Sequence, residues 1–392
     1  MKGDYFVKAE EIIKRREKMV VLDVKLDNFY AFRNFHMNLT YPKKIVGSYI
    51  KDEHLLDRPN FRYKKVNILF GANASGKTTF GRILMKIFNF IHRKNYDHIT
   101  EVICERDKEA SFTLDLASQN NVFYRVICSV SPCRENKYSS EDIKVEVRKE
   151  NIGIRDSYES CVSRIEKTPF VPADNYVNEL EKVEGLTWMF EYPRDNQRIL
   201  LLRNKDEIFR SVLENVLKSL DPSIKEVKIS QDVDSAYVIH LQNESIIIQS
   251  GIALDTDMLS SGTKSGIEIA NMLSLLIQKR KNFYYCDEKF SYIHSDIEKA
   301  LLSLMIDFVG PNDQLFFTTH NTDILDMNLP KHTFTFLRKD VNNKQLPITC
   351  VEASSLLKRS TDSLRNAVEN DLFSTAPAVE LIYSIADMRD EE

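Results

Sequence analysis

A chain of 392 residues with 43% hydrophobic and 29% charged side chains is long enough to bury a large core and lies outside the disordered and collagenous classes. Its formal net charge of −4 excludes a whole-surface attraction to nucleic acid and confines any such contact to a local patch. Six cysteines without a C-x-x-C pair, a charged start (MKGDYFVKAEEIIKRREKMVV) and no apolar run of membrane-spanning length argue against zinc, disulfide, export and membrane classes, and set the expectation of a cytoplasmic protein.

Residues 1–20 read as a charged extension and 21–340 as one α/β head. MVVLDVKLDNFYAFRNFHMNLT, rich in β-branched and aromatic residues and broken at Asp27-Asn28, predicts a hairpin. YPKKIVGSYIKDEHLLDRPNFRYKK, with two prolines and a glycine, predicts an irregular excursion before the strand VNILF. GKTTFGRILMKIFNFIH then sets Ile83, Ile87, Phe88, Phe90 and Ile91 at helical spacing. Over 95–250 an inserted lobe is expected. EASFTLDLA, NVFYRVICSV and DIKVEVRKE alternate like a half-exposed antiparallel sheet, and an irregular, helical part follows. Prolines and glycines between 151 and 200 exclude a long coiled coil.

DEIFRSVLENVLKSL predicts a helix, and KEVKISQ, AYVIHLQ and SIIIQS a small meander. KSGIEIANMLSLLIQKR, FYYC, SDIEKALLSLMIDFV and QLFFTT alternate helix and strand as a buried parallel sheet requires. Residues 341–392 read as a strand and helical extension, the place where partner contact is expected.

Three stretches carry chemistry. GANASGKT fits G-x-x-x-x-G-K-[ST] at Gly71, Gly76, Lys77 and Thr78. Glycines let backbone N–H groups approach a phosphate, and the helix start favours the anion. Lys77 reaches the β/γ-phosphates, and the Thr78 hydroxyl serves a magnesium ion. Asn73, Ala74, Ser75 and Thr79 complete the loop and are expected to line the nucleotide. In FYYCDEKF, Asp287 and Glu288 close an apolar strand at the end where open α/β sheets bind ligands. Asp287 is expected on the metal; Glu288 would orient or deprotonate the attacking water. Charged residues often close strands, so this pair gains its meaning from the glycine loop. In MLSSGTKSGIEIANML, Ser260, Ser261, Gly262 and Thr263 open a helix, a plain N-cap when taken alone.

In this order the motifs resemble the ABC-type ATPase head of SMC-like and RecF-like proteins, whose LS-x-G signature precedes the acidic Walker B strand by one helix. The resemblance implies an α/β head with a mixed, largely parallel core sheet flanked by helices, an antiparallel β lobe and a helical lobe. It implies ATP and Mg2+ as cofactors and a homodimer that sandwiches ATP, or a larger assembly, with Ser260 and Gly262 acting on the nucleotide of the other copy. His320 in LFFTTHNTDIL matches the switch histidine. DEKFSYIHSDIEKAL is similar to the D-loop region, commonly DE-x-x-x-x-LHP; His294 fits, and Ser295 stands where proline is usual. No glutamine is placed as the Q-loop residue.

In size and style the chain is similar to compact AAA-family members without the long coiled coil, including ATPase components of bacterial anti-phage systems. That resemblance implies slow, regulatory ATP hydrolysis controlling a separate effector, a nuclease or toxin. The alternative is a RecF-like clamp on DNA, for which IQKRKN at 277–282 and IHRKN at 91–95 are the basic clusters; a basic run closing a helix also complements its dipole. A nuclease within the chain is the weakest reading, because DTD at 255–257 and DVD at 232–234 sit where aspartates commonly occupy turns.

Overall fold

The computed structural model describes residues 18–45, 47–133, 137–183, 185–192, 206–233, 236–249, 252–253, 259–359, 361–375, 382–383 and 385. The extension before residue 18, the DTD of 255–257, Asp234 and most of the chain after 375 lie outside the described residues.

The core is a six-stranded sheet. Its strands are β5 (Val66–Phe70), β9 (Trp188–Glu191), β14 (Phe283–Asp287), β15 (Gln314–Thr318), β16 (Phe334–Lys339) and β17 (Ile348–Glu352). They run in the order β17-β16-β5-β15-β14-β9, all neighbours parallel except the β16–β17 pair. Such a sheet is buried on both faces, so its strands are continuous apolar runs, and every residue of β5, β14 and β15 is buried.

Strand alternation divides the interior in two. Tyr284, Cys286, Leu315 and Phe317 face helices α3 (Glu207–Leu220), α4 (Ser261–Ile277) and α5 (Ser295–Phe308) and the meander β10 (Glu226–Ile229), β11 (Ala236–His240), β12 (Ser245–Gln249) and β13 (Ile252–Ala253). Phe283, Tyr285 and Phe316 face the other way, onto α1 (Lys77–Arg93) and a second sheet. The predicted stripe of α1, Ile83, Ile87, Phe88, Phe90 and Ile91, is wholly buried there.

The second sheet joins the predicted hairpin, β1 (Met19–Asp27) with β2 (Phe35–Asn38), to β6 (Ala110–Ser118), β7 (Val122–Val130) and β8 (Ile143–Asn151) in the order β2-β1-β6-β7-β8, antiparallel throughout. Of the three strands expected in an inserted lobe, β6 pairs directly with β1 of the first hairpin, and β7 and β8 extend the sheet from it. β6 and β7 are largely covered on both faces, whereas β8 keeps the half-exposed alternation that the sequence predicts. The far face is covered by α2 (Tyr158–Ile165) and by a hairpin of β3 (His54–Leu55) and β4 (Arg58–Arg62) lying inside the segment expected to be irregular. No coiled coil is present among the described residues, whose longest helices, α1 and α4, have 17 residues each. No described helix is long and apolar enough to cross a membrane.

Candidate functional site

Parallel pairing aligns the C-terminal ends of β5, β15 and β14 along one edge, and each end delivers a predicted residue. From β5 the chain turns through Gly71, where a Cβ would meet the Leu337 carbonyl at 2.5 Å, so only glycine lets the turn lie that close. Gly76, at φ +107°, caps α1 in a conformation that side chains resist, and α1 carries no side-chain cap and no acidic residue in its first turn. Its N–H groups and dipole therefore face outward for an anion. Ser75 is buried with its Oγ lacking any hydrogen-bond partner.

Lys77, 3% exposed, folds back over this loop. Its Nζ donates to the carbonyls of Gly71 (2.9 Å) and Ala72 (3.3 Å) and lies 3.3 Å from Glu288 Oε1. Burial lowers its pKa, and Glu288 opposes the shift. The backbone of α1 is tied to β14 by the Tyr285 hydroxyl, which donates to the Lys77 carbonyl at 2.6 Å.

Asp287 is fully enclosed. Its Oδ1 accepts from Thr318 Oγ1 at 2.7 Å, while Oδ2 has no hydrogen-bond partner. Burial raises its pKa, with Thr78 and Thr318 pulling it down. A carboxylate oxygen left bare beside a threonine hydroxyl, both hard oxygen donors, suits a divalent cation of the Mg2+ kind. The site's two oxygens fit the role predicted for Thr78 and Asp287.

Glu288 takes a left-handed backbone, φ +46°, which turns its carboxylate off the strand line toward the loop. The backbone is held by Thr318, whose Oγ1 and carbonyl accept the Glu288 N–H at 3.0 and 3.3 Å. Glu288 Oε1 lies 2.8 Å from His320 Nε2. The His320 contact, followed by Lys77, keeps the Glu288 carboxyl below its ordinary range against the opposing effect of burial. A cleft of about 410 Å³ lies beside this pair, floored by Glu298 and Asn321.

Lys77, Thr78, Asp287, Glu288 and His320 are thus brought together. Ser260 and Gly262 are not: among the described residues no hydrogen bond or ion pair joins 259–263 to 71–79. Ser260 caps α4, accepting the Thr263 N–H at 3.0 Å, and Gly262 lies against the Tyr292 carbonyl. The basic clusters fall at helix ends as dipole complements do: His92 and Arg93 occupy the last turn of α1, and Lys279 and Arg280 follow α4. Asp232 is an exposed loop residue. Sequence reasoning missed Thr318, the hinge between both carboxylates, and Tyr285; the repeated threonine of FFTTH at the end of a buried strand was the available signal.

No protein-family model matches this chain, and neither does any curated protein. Among solved structures it is similar to an SMC head bound to the C-winged helix domain of ScpA, at 13% identity over 86% of this chain and 99% of that one, with a TM-score of 0.50. The SMC head domain of Thermotoga maritima (14% identity, 85% and 98% covered, TM-score 0.40) and the recombination mediator RecF (9% identity, 86% and 99% covered, TM-score 0.43) are also matched. At such identities the likeness concerns the fold, and the first match carries it: the chain has the α/β fold of an SMC head.

Proposed function

We propose that this chain is an ABC-type ATPase in which two copies close on ATP. The observation that carries the reading is the convergence of Lys77, Asp287, Glu288 and His320 at neighbouring strand ends, around a buried carboxylate oxygen with no partner. Thr78 and Asp287 would hold Mg2+, which when bound neutralises phosphate charge. The remaining steps belong to the protein's own groups. The open N-terminus of α1 receives phosphate oxygens. Lys77 exchanges its contacts with two carbonyls and Glu288 for the phosphate. Glu288, relieved of that ammonium, becomes the stronger base and takes the proton of the attacking water, while His320 fixes its orientation. Ser260 and Gly262, which make no hydrogen bond to the loop of their own copy, would complete the site of a second one.

The same reading extends to purpose: a slow ATPase that regulates a separate effector, a nuclease or toxin, in anti-phage defence. It is supported by the acidic balance of the chain and by the helix-capping placement of its basic clusters, which disfavours the RecF-like clamp. The test uses Glu288→Gln, which should bind ATP without turnover and double in mass by light scattering; an unchanged mass would sink the sandwich. Tight binding of duplex DNA at physiological salt by the protein alone would put the clamp in its place.

A further inference from the structure

His320 is held by its neighbours in the chain, and those neighbours are held by α5. Thr319 Oγ1 donates to Glu298 Oε1 at 2.8 Å, and Asn321 Nδ2 donates to Glu298 Oε2 at 2.6 Å. Glu298, 2% exposed, therefore grips the histidine loop on both sides with one carboxylate. Asn321 Nδ2 also reaches Ser295 Oγ, 2.9 Å away, at the start of the same helix. Ser295 in turn donates to Asp323 Oδ2 at 2.6 Å.

The chain of contacts continues into the C-terminal region. Helix α6 (Leu364–Glu369) carries Arg365, whose Nη2 donates to Asp323 Oδ1 at 2.7 Å and whose Nε contacts both oxygens of Asp326 at 2.9 and 2.8 Å. One guanidinium thus spans both acids of the turn that follows His320. The segment bearing it is anchored to the core sheet: Leu364 and Ala367 are buried, and Phe373 stacks on Phe336 of β16 with ring centroids 3.8 Å apart. Asp323 and Asp326 are themselves 45% and 56% exposed, so these ion pairs contribute little stability. What they supply is orientation, because a planar bidentate guanidinium fixes its partners' geometry. A proline at 295, usual in the family the sequence resembles, would carry no hydroxyl to join Asn321 to Asp323.

We propose that Arg365 is a positioning residue for His320, acting through Asp323, Ser295 and Asn321, so that the C-terminal helix sets the geometry of the histidine that faces Glu288. Only the kinetic arm of its test rests on the ATPase reading. With Arg365→Ala or Ser295→Ala, kcat for ATP hydrolysis should fall about tenfold, with KM and nucleotide affinity within about twofold of wild type. Arg365→Lys should restore part of the rate only, since one ammonium cannot span two carboxylates. In a His320→Ala background, Arg365→Ala should cost nothing further. An equal loss in that background, or no loss in either, overturns the proposal.

The second arm needs no turnover. Backbone amides of residues 319–326 should exchange with deuterium faster in nucleotide-free Arg365→Ala than in wild type. Unchanged exchange overturns the link. Ser295→Ala, which deletes a single hydroxyl, answers the same question if Arg365→Ala does not fold. A wild-type protein that neither binds nor hydrolyses ATP would remove the ATPase reading and leave the exchange result to decide the link.

Discussion

Asp115 in the antiparallel sheet and Asp287 in the parallel one are both fully enclosed, and they have opposite surroundings. Asp115 accepts from Arg125 Nε and Nη2 at 2.8 and 2.7 Å and from the Tyr158 hydroxyl at 2.7 Å. Both of its oxygens are engaged, and the pairing raises the Arg125 pKa. Asp287 has one oxygen tied by Thr318 and the other bare. A buried carboxylate whose bonds are complete supports the fold; one with a bond left open carries a cost, which on the proposed reading a ligand would offset. The difference follows from topology. β6 and β7 lie in mid-sheet beneath α2, so their polar groups must find partners within the protein, whereas a parallel strand ends at an open edge.

Glu288→Gln should lower steady-state phosphate release by about a thousandfold while bound nucleotide persists; retention of the rate would remove Glu288 from the chemistry. Asp115→Ala should cost on the order of 3–5 kcal/mol in urea unfolding, because it leaves Arg125 Nε and Nη2 without their buried partner and only the exposed Glu166, 3.2 Å from Nη1, to answer the charge, yet leave the nucleotide affinity of the folded fraction unchanged. Lys77→Ala should weaken nucleotide binding by about 100-fold, the equivalent of roughly 2.7 kcal/mol, as read by titration with a fluorescent analogue. The smallest effect concerns stability without ligand.

Burial raises the Asp287 pKa, so its ionised form opposes folding. Below the ordinary aspartate value of 3.8 the group is protonated in both states and that penalty is absent; it grows as pH rises through the folded value. Asp287→Asn should therefore melt above wild type by a margin that widens with pH from about 4 upward. A margin independent of pH would show that the carboxylate is compensated after all. Burial raises the Asp115 pKa as well, with Arg125 opposing it; there Asp115→Asn should be destabilising, because it takes from Arg125 its buried counter-charge.

Much of the site was legible because its physics is local. A phosphate loop needs glycines, a lysine and a hydroxyl within eight consecutive residues, and the acidic pair and histidine close short apolar strands. The second sheet was less so. Alternation in β6–β8 reported a strand period, but not that β1, some ninety residues earlier, would pair with β6, nor that α2 would replace water on the polar face. Arg125 therefore reads as an outward residue when it is a buried partner of Asp115. β9 escaped notice because four residues, WMFE, among prolines and polar residues, carry too little pattern; their place is decided by β14 alongside. Glu298 matters through hydrogen bonds between elements, as do the partners of Thr318 and Ser295, and no spacing in the chain encodes those pairings.

The Tyr285 hydroxyl on the Lys77 carbonyl works as a gauge block. Asp287 sits two residues along the same strand, so the spacing between the start of α1 and the acid of the strand is fixed by covalent geometry and one short bond. What is fixed is the separation of the two backbones, while the Lys77 side chain keeps its own freedom to swing. On the ATPase reading, a phosphate would meet a backbone cradle already at its working width, and the rearrangement left to make would be that of the Lys77 side chain.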